Sequence, residues 1–188
     1  MRKLILLAHV SLDGFVAGKK GELDGFPSGE ENLQFVCDLT KGADAALFGR
    51  NSYQLLESWW PTAGDAPNAS AGVKFYSDWY NRAQKIVVSR TLANASLNNT
   101  IVVSTDIPNE ISKIKEQPGG NILIFGSPAT SRLLMKHNLI DDYWIFINSV
   151  TFGEGIPLFS EETGLTKFKL AAAHPPLPNG EVPLHYTR

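Results

Sequence analysis

The chain has little cysteine, little histidine and almost no net charge, and each shortage excludes a class of protein. The single cysteine, Cys37, cannot form an internal disulfide, and the four histidines lack the close Cys and His spacings that hold zinc. Seventeen Lys and Arg residues against nineteen Asp and Glu give a net charge of -2, without the positive excess that nucleic acid or an anionic membrane requires. We therefore expect no metal centre, no disulfide scaffold, and no nucleic-acid or membrane partner.

Long apolar runs are also missing. No run approaches the roughly 20 residues that span a bilayer, and the apolar segment at residues 4–8 is too short for a secretory signal before it reaches His9. The protein is therefore expected to be cytoplasmic. With 188 residues, of which 43% are hydrophobic and 19% charged, the composition is globular and predicts a single domain over residues 1–188.

Strand and helix patterns alternate along the chain. The apolar run at residues 4–8 is typical of a strand covered on both faces. Ser28 and Ser127 are predicted to cap the first and last helices, and residues 61–72 are predicted to form a loop. Further strands are predicted at 45–48, 85–88, 100–104, 121–125 and 143–150, with helices at 30–40, 51–58, 73–82, 108–116 and from 128 to near 138.

The C-terminal tail has the pattern of a hairpin. Strand-forming residues at 168–172 and 182–186 flank Pro178-Asn179-Gly180, which is the strongest turn signal in the chain. Alternating strands and helices followed by a hairpin predict an α/β fold, with a mostly parallel central sheet and antiparallel strands at one edge.

The sequence contains none of the common nucleotide-binding or hydrolase motifs: G-x-G-x-x-G, the P-loop and G-x-S-x-G are all absent. Two strand-to-helix junctions remain, each of which offers free backbone N–H groups at a helix N-terminus that suit a pyrophosphate. Tight packing of each helix against its strand would account for the same residues. The two junctions are Gly49-Arg50-Asn51-Ser52 and Gly126-Ser127-Pro128-Ala129-Thr130.

A third strand ends in Ser89-Arg90-Thr91, which places two hydroxyls and a guanidinium where open α/β sheets bind ligands. Arg90 suits the phosphate of a phosphorylated ribose. The alternative interpretation is a surface arginine in a turn.

Five short motifs in order carry a family resemblance. They are Ser11-Leu12-Asp13-Gly14, Gly49-Arg50-x-Ser52-Tyr53, Ser89-Arg90-Thr91, Gly126-Ser127 and Phe152-Gly153-x-Gly155-x-Pro157-Leu158-Phe159. Together they resemble the dihydrofolate reductase fold. More narrowly, the chain resembles the bacterial bifunctional deaminase-reductase C-terminal domain family, the reductase module of riboflavin biosynthesis, and its single-domain relatives.

This resemblance implies a three-layer α/β/α domain that binds NADPH and forms a homodimer. It places the nicotinamide near Ala8, Val16 and Ala17. The remaining cofactor-binding residues that it implies surround the pyrophosphate and the adenosine phosphate, and they are Gly49, Arg50, Asn51, Ser52, Ser89, Arg90, Gly126, Ser127, Ala129 and Thr130. Ser127 departs from the paired glycines common in these reductases, so its side chain either crowds the phosphate path or donates a hydrogen bond to it.

The resemblance also implies a substrate site at the Ser11 turn. Asp13 is the candidate to bind or protonate the substrate, with Ser11, Phe152 and Gly153 as further substrate-binding residues. Asp13 also suits a plain Asp-Gly turn. The segment 151–159 either closes the cofactor cleft or forms a bulge between strands. Four aromatic residues near the predicted loop are candidates for the roof of the substrate pocket or for the core, and they are Trp59, Trp60, Phe75 and Trp79.

One departure from true dihydrofolate reductases bears on the substrate. Those enzymes hold the pterin with a carboxylate on the first helix, where this chain has Leu33. The favoured hypothesis is therefore an NADPH-dependent reductase acting on a small heterocyclic or sugar-amine substrate, like 5-amino-6-(5-phosphoribosylamino)uracil reductase. The alternatives are a non-catalytic NADPH-binding protein, reduction of a pterin, and a purely structural domain. The zinc deaminase signature of the bifunctional enzymes is absent.

Overall fold

The computed structural model describes residues 1–27, 29–92, 97–160 and 164–188. The strands within these residues are β1 (Leu4–Ser11), β2 (Phe15–Ala17), β3 (Ala43–Gly49), β4 (Gln84–Val88), β5 (Thr100–Val103), β6 (Asn121–Phe125), β7 (Asp142–Asn148), β8 (Ile156–Pro157), β9 (Lys169–Ala173) and β10 (Val182–Thr187). The helices are α1 (Glu30–Thr40), α2 (Arg50–Glu57), α3 (Trp60–Ala63), α4 (Ala71–Arg82), α5 (Ile107–Glu116) and α6 (Pro128–Lys136).

The central sheet has the strand order β5-β4-β3-β6-β1-β7-β10-β9. Strand β1 pairs in parallel with β6 and β7, and β3 pairs in parallel with β4 and β6. Strand β10 runs antiparallel to both β7 and β9. The predicted sheet, mostly parallel with antiparallel C-terminal strands, is therefore confirmed.

Both faces of the sheet are covered, which explains why β1 is apolar at successive positions. Leu4 and Leu6 belong to a core that α5 and α6 cover with residues such as Ile111 and Leu134. Ile5 and Leu7 belong to a second core on the opposite face, which contains side chains of α1, α2 and α4. The molecule thus has the three layers that the resemblance implied.

Three elements differ from the predictions. The interval 61–72 is not all loop, because α3 overlaps its start and α4 begins at Ala71. Strands β2 and β8 form a separate two-stranded sheet that the sequence did not predict, since three and two residues are too few to show a period. The predicted cap Ser28 lies outside the described residues, and α1 has Gly29 as its N-cap.

The C-terminal strands are joined by a longer connection than a tight hairpin. The Gly180 N–H donates to the Leu177 carbonyl at 2.8 Å and Gly180 has a φ of +89°, so the chain turns where the sequence predicted. Eight residues, 174–181, nevertheless separate β9 from β10. Three of them are prolines, which have no N–H for a ladder. Among the described residues, no helix is long and apolar enough to cross a membrane.

Candidate active site

The carboxyl ends of the parallel strands bring the predicted junctions together at one edge of the sheet. Leu7 is paired with Phe125, and the Gly126 N–H donates to the Leu7 carbonyl at 2.9 Å. Since Leu47 is paired with Ile124, Gly49 and Gly126 lie at the same level on adjacent strands. Ligands of open α/β sheets bind at this edge. The fold therefore places both junctions beside the end of β1.

Both junctions begin helices without a side-chain cap. The N-cap of α2 is Gly49, which has no side chain. The N-cap of α6 is Ser127, and its side chain makes no capping hydrogen bond with that helix. The first N–H groups of α2 belong to Arg50, Asn51 and Ser52. Uncapped N–H groups on two neighbouring helices provide positive ends that suit a pyrophosphate.

Glycine is required at the two junctions for different reasons. A Cβ on Gly49 would lie 2.8 Å from Thr130 Oγ1, so Gly49 permits close packing of the β3 end against α6. Gly126 has a φ of +55°, which favours glycine, and a Cβ there would have no atom of the described residues within 4 Å. The backbone of Gly126 therefore faces open space, as a ligand would require.

The structure corrects the predicted cap at Ser127. Its backbone is left-handed, with φ 50° and ψ 56°, and the side chain does not cap α6. Instead, Ser127 Oγ accepts the Gly49 N–H at 3.0 Å and donates to the Phe125 carbonyl at 3.2 Å. The hydroxyl thus joins the two junctions, and the Gly49 N–H already has a partner. Ala129 is exposed and Thr130 is buried.

The predicted phosphate-binding arginines lie near each other at the β3 and β4 ends. Arg50 Nη1 donates to Thr91 Oγ1 at 3.2 Å, which brings α2 to the Ser89-Arg90-Thr91 turn. Ser89 is buried, and its Oγ accepts the Leu92 N–H at 3.2 Å. Arg90 is exposed. Neither arginine has a carboxylate partner among residues 1–27, 29–92, 97–160 and 164–188.

The residues predicted to lie near the nicotinamide provide an apolar wall. Ala8, Val16 and Ala17 are each less than a tenth exposed, and Ala8 and Val16 belong to the core that α5 and α6 cover. Ala8 directly follows Leu7, so it lies at the level of Gly126. A planar, weakly polar ring fits against such a surface.

Asp13 holds the connection after β7 in place. Its Oδ1 accepts the Ser11 hydroxyl at 2.6 Å and the Phe152 N–H at 3.2 Å, and its Oδ2 accepts the Gly153 N–H at 2.7 Å. The Ser11 hydrogen bond, with smaller contributions from Gly153 and Phe152, lowers the pKa of Asp13 below its ordinary value. An ionised carboxylate that accepts three hydrogen bonds is better suited to positioning than to donating a proton.

The loop that Asp13 holds is also attached to β2. Strand β8 pairs with β2, and the Leu158 N–H donates to the Gly14 carbonyl at 3.1 Å. A Cβ on Gly155 would lie 2.4 Å from the Ala17 carbonyl oxygen, so only glycine allows this approach. The loop therefore lies against the β1–β2 turn, beside the predicted nicotinamide wall.

The predicted aromatic roof divides into core and surface residues. Trp79 is buried and its Nε1–H donates to the Ala43 carbonyl at 2.8 Å, while Trp60 packs against Tyr76 with ring centroids 4.3 Å apart. Trp79 therefore belongs to the core, and Trp60 is partly buried and packs against it. Trp59 and Phe75 are exposed.

Sequence reasoning missed a polar cluster around the buried Glu181 on the α1 face of the sheet. His9 Nδ1 lies 2.7 Å from Glu181 Oε1, and Asn32 Nδ2 donates to Glu181 Oε2 at 2.8 Å. These residues come from β1, α1 and the turn before β10. The signal in the sequence is a single histidine that interrupts the apolar run of β1, and it does not indicate which carboxylate the ring meets.

A cavity of about 640 Å³ opens on the opposite face of the sheet. Its lining is mainly apolar and includes Val10, Ile145, Leu184 and Tyr186, together with the polar residue Ser11. Of the residues predicted to bind the substrate, Ser11 borders this cavity. Its hydroxyl already donates a hydrogen bond to Asp13.

Known proteins share both the sequence pattern and the fold of this chain. Residues 2–175 match the model of the RibD C-terminal domain. The chain belongs to this family. It is 32% identical to the uncharacterized protein YyaP of Bacillus subtilis (strain 168) over 158 residues, which cover 84% of this chain and 80% of YyaP.

Solved structures show the same fold. A pyrimidine reductase-like protein from Corynebacterium diphtheriae NCTC superposes with a TM-score of 0.70 at 16% identity, over 99% of this chain and 91% of that one. Dihydrofolate reductase from Enterococcus faecalis, complexed with NADP(H), superposes with a TM-score of 0.68 at 17% identity, over 99% and 96% of the two chains. The RibD C-terminal domain of this chain therefore has the dihydrofolate reductase-like fold that the sequence motifs indicated.

Proposed function

We propose that this RibD C-terminal domain is an NADPH-dependent reductase of the riboflavin-biosynthesis type, which transfers hydride to a small heterocyclic or sugar-amine substrate. The observation that carries the proposal is the contact of Arg50 with Thr91, at the edge where two helices begin without side-chain caps. A phosphorylated dinucleotide needs both features, since it carries a pyrophosphate and a separate phosphate on the ribose. The NADP(H) complex of the similar dihydrofolate reductase supports the choice of cofactor.

In this proposal, each group of residues has a distinct task. The N–H groups at the starts of α2 and α6 hold the pyrophosphate, and Arg50, Ser89 and Arg90 hold the ribose phosphate. Ala8, Val16 and Ala17 form the wall against the nicotinamide, which supplies the hydride when bound. Asp13 fixes the loop at Phe152 and Gly153, so that this loop borders the substrate.

We also propose that the protein is a cytoplasmic homodimer with one domain over residues 1–188.

The test measures how the loss of one arginine side chain changes the Kd values of NADPH and of NADH. Arg90→Ala should raise the Kd of NADPH by about 10- to 100-fold, because a hydrogen bond to a charged group contributes about 1.5 to 3 kcal/mol. The Kd of NADH should change less than about twofold, since NADH lacks the phosphate that Arg90 contacts. Both constants are measured by titrating the purified protein and following nicotinamide fluorescence.

Arg82→Ala is the matched control. Arg82 is an exposed arginine at the end of α4, and its Nε–H donates to the Asp78 carbonyl at 3.2 Å. It precedes β4, so it lies at the opposite end of that strand from Ser89. Its removal changes the net charge equally and should leave both Kd values unchanged. Equal losses of NADPH and NADH affinity in Arg90→Ala would show that Arg90 does not bind the phosphate. No binding at millimolar NADPH would refute the proposed cofactor.

A further inference from the structure

A fully buried carboxylate on the α1 face has no role in the function proposed so far. Glu181 is 0% exposed and is surrounded by three donors: His9 Nδ1 at 2.7 Å, Asn32 Nδ2 at 2.8 Å and Asn179 Nδ2 at 3.1 Å. A buried charge is costly unless it is paired and hydrogen-bonded. Three elements distant in sequence therefore converge on this one side chain.

The contacts define the charge of Glu181. Burial raises the pKa of its carboxyl. Two other effects together lower this pKa below the ordinary value: the electrostatic interaction with His9, and the hydrogen bonds from His9, Asn179 and Asn32. Glu181 is thus ionised at neutral pH. An ionised carboxylate can only accept, so the proton of the His9 ring must be on Nδ1. When His9 is neutral, its Nε2 then carries a free lone pair, and when His9 is protonated, Nε2 carries a donor.

His9 lies near the carboxyl end of β1, which belongs to the ligand edge of the sheet. The ring stacks on Phe146 with centroids 5.1 Å apart and planes at 20°, and 37% of the side chain is exposed. Because Nδ1 contacts a buried carboxylate, the exposed part of the ring lies on its Nε2 side. No hydrogen bond of Nε2 occurs in the part of the chain that the structure describes.

His9 lies near the predicted cofactor and substrate positions. His9 directly follows Ala8, and its strand β1 is separated from Gly49 by β6 alone, which is about 10 Å in two strand spacings. On the other side, His9 approaches Phe26 with centroids 6.0 Å apart, and Phe26 contacts Phe152 at 5.2 Å. A row of aromatic rings thus connects His9 with the loop that Asp13 holds.

We propose that His9 Nε2 exchanges the proton that accompanies hydride transfer, and that Glu181 is the positioning residue that fixes the His9 tautomer. This inference rests on the proposed reductase function. The substrate carbon of a C=N or C=O group gains a hydride, and the dihydronicotinamide that gives it is oxidised. The π electron pair moves to the substrate nitrogen or oxygen, which takes the Nε2 proton of the His9 imidazolium and leaves a neutral ring with its proton on Nδ1. The neutral ring then takes a proton from water at Nε2, which leaves hydroxide in the solvent.

The first experiment reads the tautomer directly and needs no turnover. Nitrogen-15 NMR of the imidazole rings in the wild-type protein should show His9 with a protonated Nδ1 and an unprotonated Nε2 when the ring is neutral. Glu181→Gln should reverse this tautomer. The Asn179 side chain is held by the Glu181 N–H, which Asn179 Oδ1 accepts at 3.2 Å, so the Asn179 NH₂ group stays directed at the atom in the Oε2 position. In the variant, the carbonyl oxygen of the new side chain therefore takes the Oε2 position as the acceptor. The amide NH₂ of the variant side chain then faces His9 Nδ1, which must accept and so loses its proton.

The chain offers a matched control for this measurement. His185 Nε2 lies 2.8 Å from Asp142 Oδ1 on the same face of the sheet. Asp142→Asn should change the His185 signals and leave the His9 tautomer as it is in the wild type. A wild-type His9 with its proton on Nε2, or a His9 tautomer that Glu181→Gln leaves unchanged, overturns the inference.

The second experiment measures His9→Gln with NADPH and 5-amino-6-(5-phosphoribosylamino)uracil. General acid–base groups contribute about 10²- to 10⁴-fold, so kcat should fall at least about 100-fold. The Kd of NADPH should change less than about twofold, because the resemblance places no cofactor contact on this side chain. Normal turnover by His9→Gln overturns the inference and leaves the reductase proposal standing. A wild-type protein that does not bind NADPH or does not reduce this substrate overturns both.

Discussion

The hydroxyl bridge between the two junctions gives a prediction that separates backbone strain from hydrogen bonding. Ser127 has φ 50° and ψ 56°, a left-handed conformation that costs a residue other than glycine about 1 to 2 kcal/mol. Its buried Oγ is also the acceptor for the Gly49 N–H at 3.0 Å. Ser127→Ala and Ser127→Gly both remove the acceptor, but only glycine relieves the strain.

The magnitudes follow from these two contributions. The Gly49 N–H is partly buried, and a buried N–H left without a partner costs about 1 to 3 kcal/mol, so Ser127→Ala should lower the free energy of unfolding by about 2 kcal/mol at most. Ser127→Gly recovers about 1 kcal/mol from the left-handed backbone, and its net loss should be about 1 kcal/mol. Alanine should therefore be the more damaging substitution, although it changes the side chain less.

Urea denaturation followed by tryptophan fluorescence measures both variants, with the slope m required to stay constant. Ser58→Ala is the control, because Ser58 is exposed and its hydroxyl donates to the Leu55 carbonyl of its own helix end, at 2.7 Å. This control should change stability by less than about 0.5 kcal/mol. A glycine variant less stable than the alanine variant, or an alanine variant as stable as the wild type, would refute the reasoning.

Two further predictions concern the loop beside the site. Asp13→Asn should loosen residues 152 and 153, because an amide presents one acceptor oxygen where the carboxylate has two. In the wild type this anchoring is complete above about pH 4 and is lost as the pH falls through the lowered pKa of Asp13, so the Gly153 amide resonance should titrate there and should not titrate in the variant. Gly155→Ala should cost about 1 to 3 kcal/mol in urea denaturation, because its Cβ would lie 2.4 Å from the Ala17 carbonyl oxygen. Gly42→Ala should change stability far less, because among the described residues its Cβ would have only Asn121 Nδ2 within 4 Å, at 3.6 Å.

The elements that the sequence predicted well are those whose physical signal is local. The run at residues 4–8 is apolar at every position because β1 contributes to a core on each face, and an unbroken run of this length is typical of a central parallel strand. Helix α1 shows near-helical spacing of apolar residues over its 11 residues, and Pro108 marks the start of α5. Strands β2 and β8 have no such signal, because their pairing depends on Asp13 and Gly155 fixing a loop from a distant part of the chain.

At the site, the residue types were predictable but their partners were not. The sequence indicated that Gly49 and Gly126 begin two junctions, and the structure places them on adjacent strands. It did not indicate that the Ser127 hydroxyl would accept the Gly49 N–H across 78 residues. The glycine at position 49 consequently serves helix packing, as the alternative interpretation of the junctions predicted. This packing is compatible with the ligand binding proposed at the same edge, which stays a prediction.

The His9 and Glu181 pair shows why a missing carboxylate at one position is weak evidence about chemistry. Leu33 on α1 is apolar and packs against the core, which favoured a lost or altered substrate site. The adjacent residue, Asn32, nevertheless donates to the carboxylate of Glu181, which reaches α1 from 149 residues away. A carboxylate can reach a given point in the fold from any element that passes it. The absence of a carboxylate from one position of the first helix therefore does not show that this face has none. The α1 face thus retains a buried carboxylate, and it acts on the cleft through a histidine of β1 whose second nitrogen is free to meet a substrate.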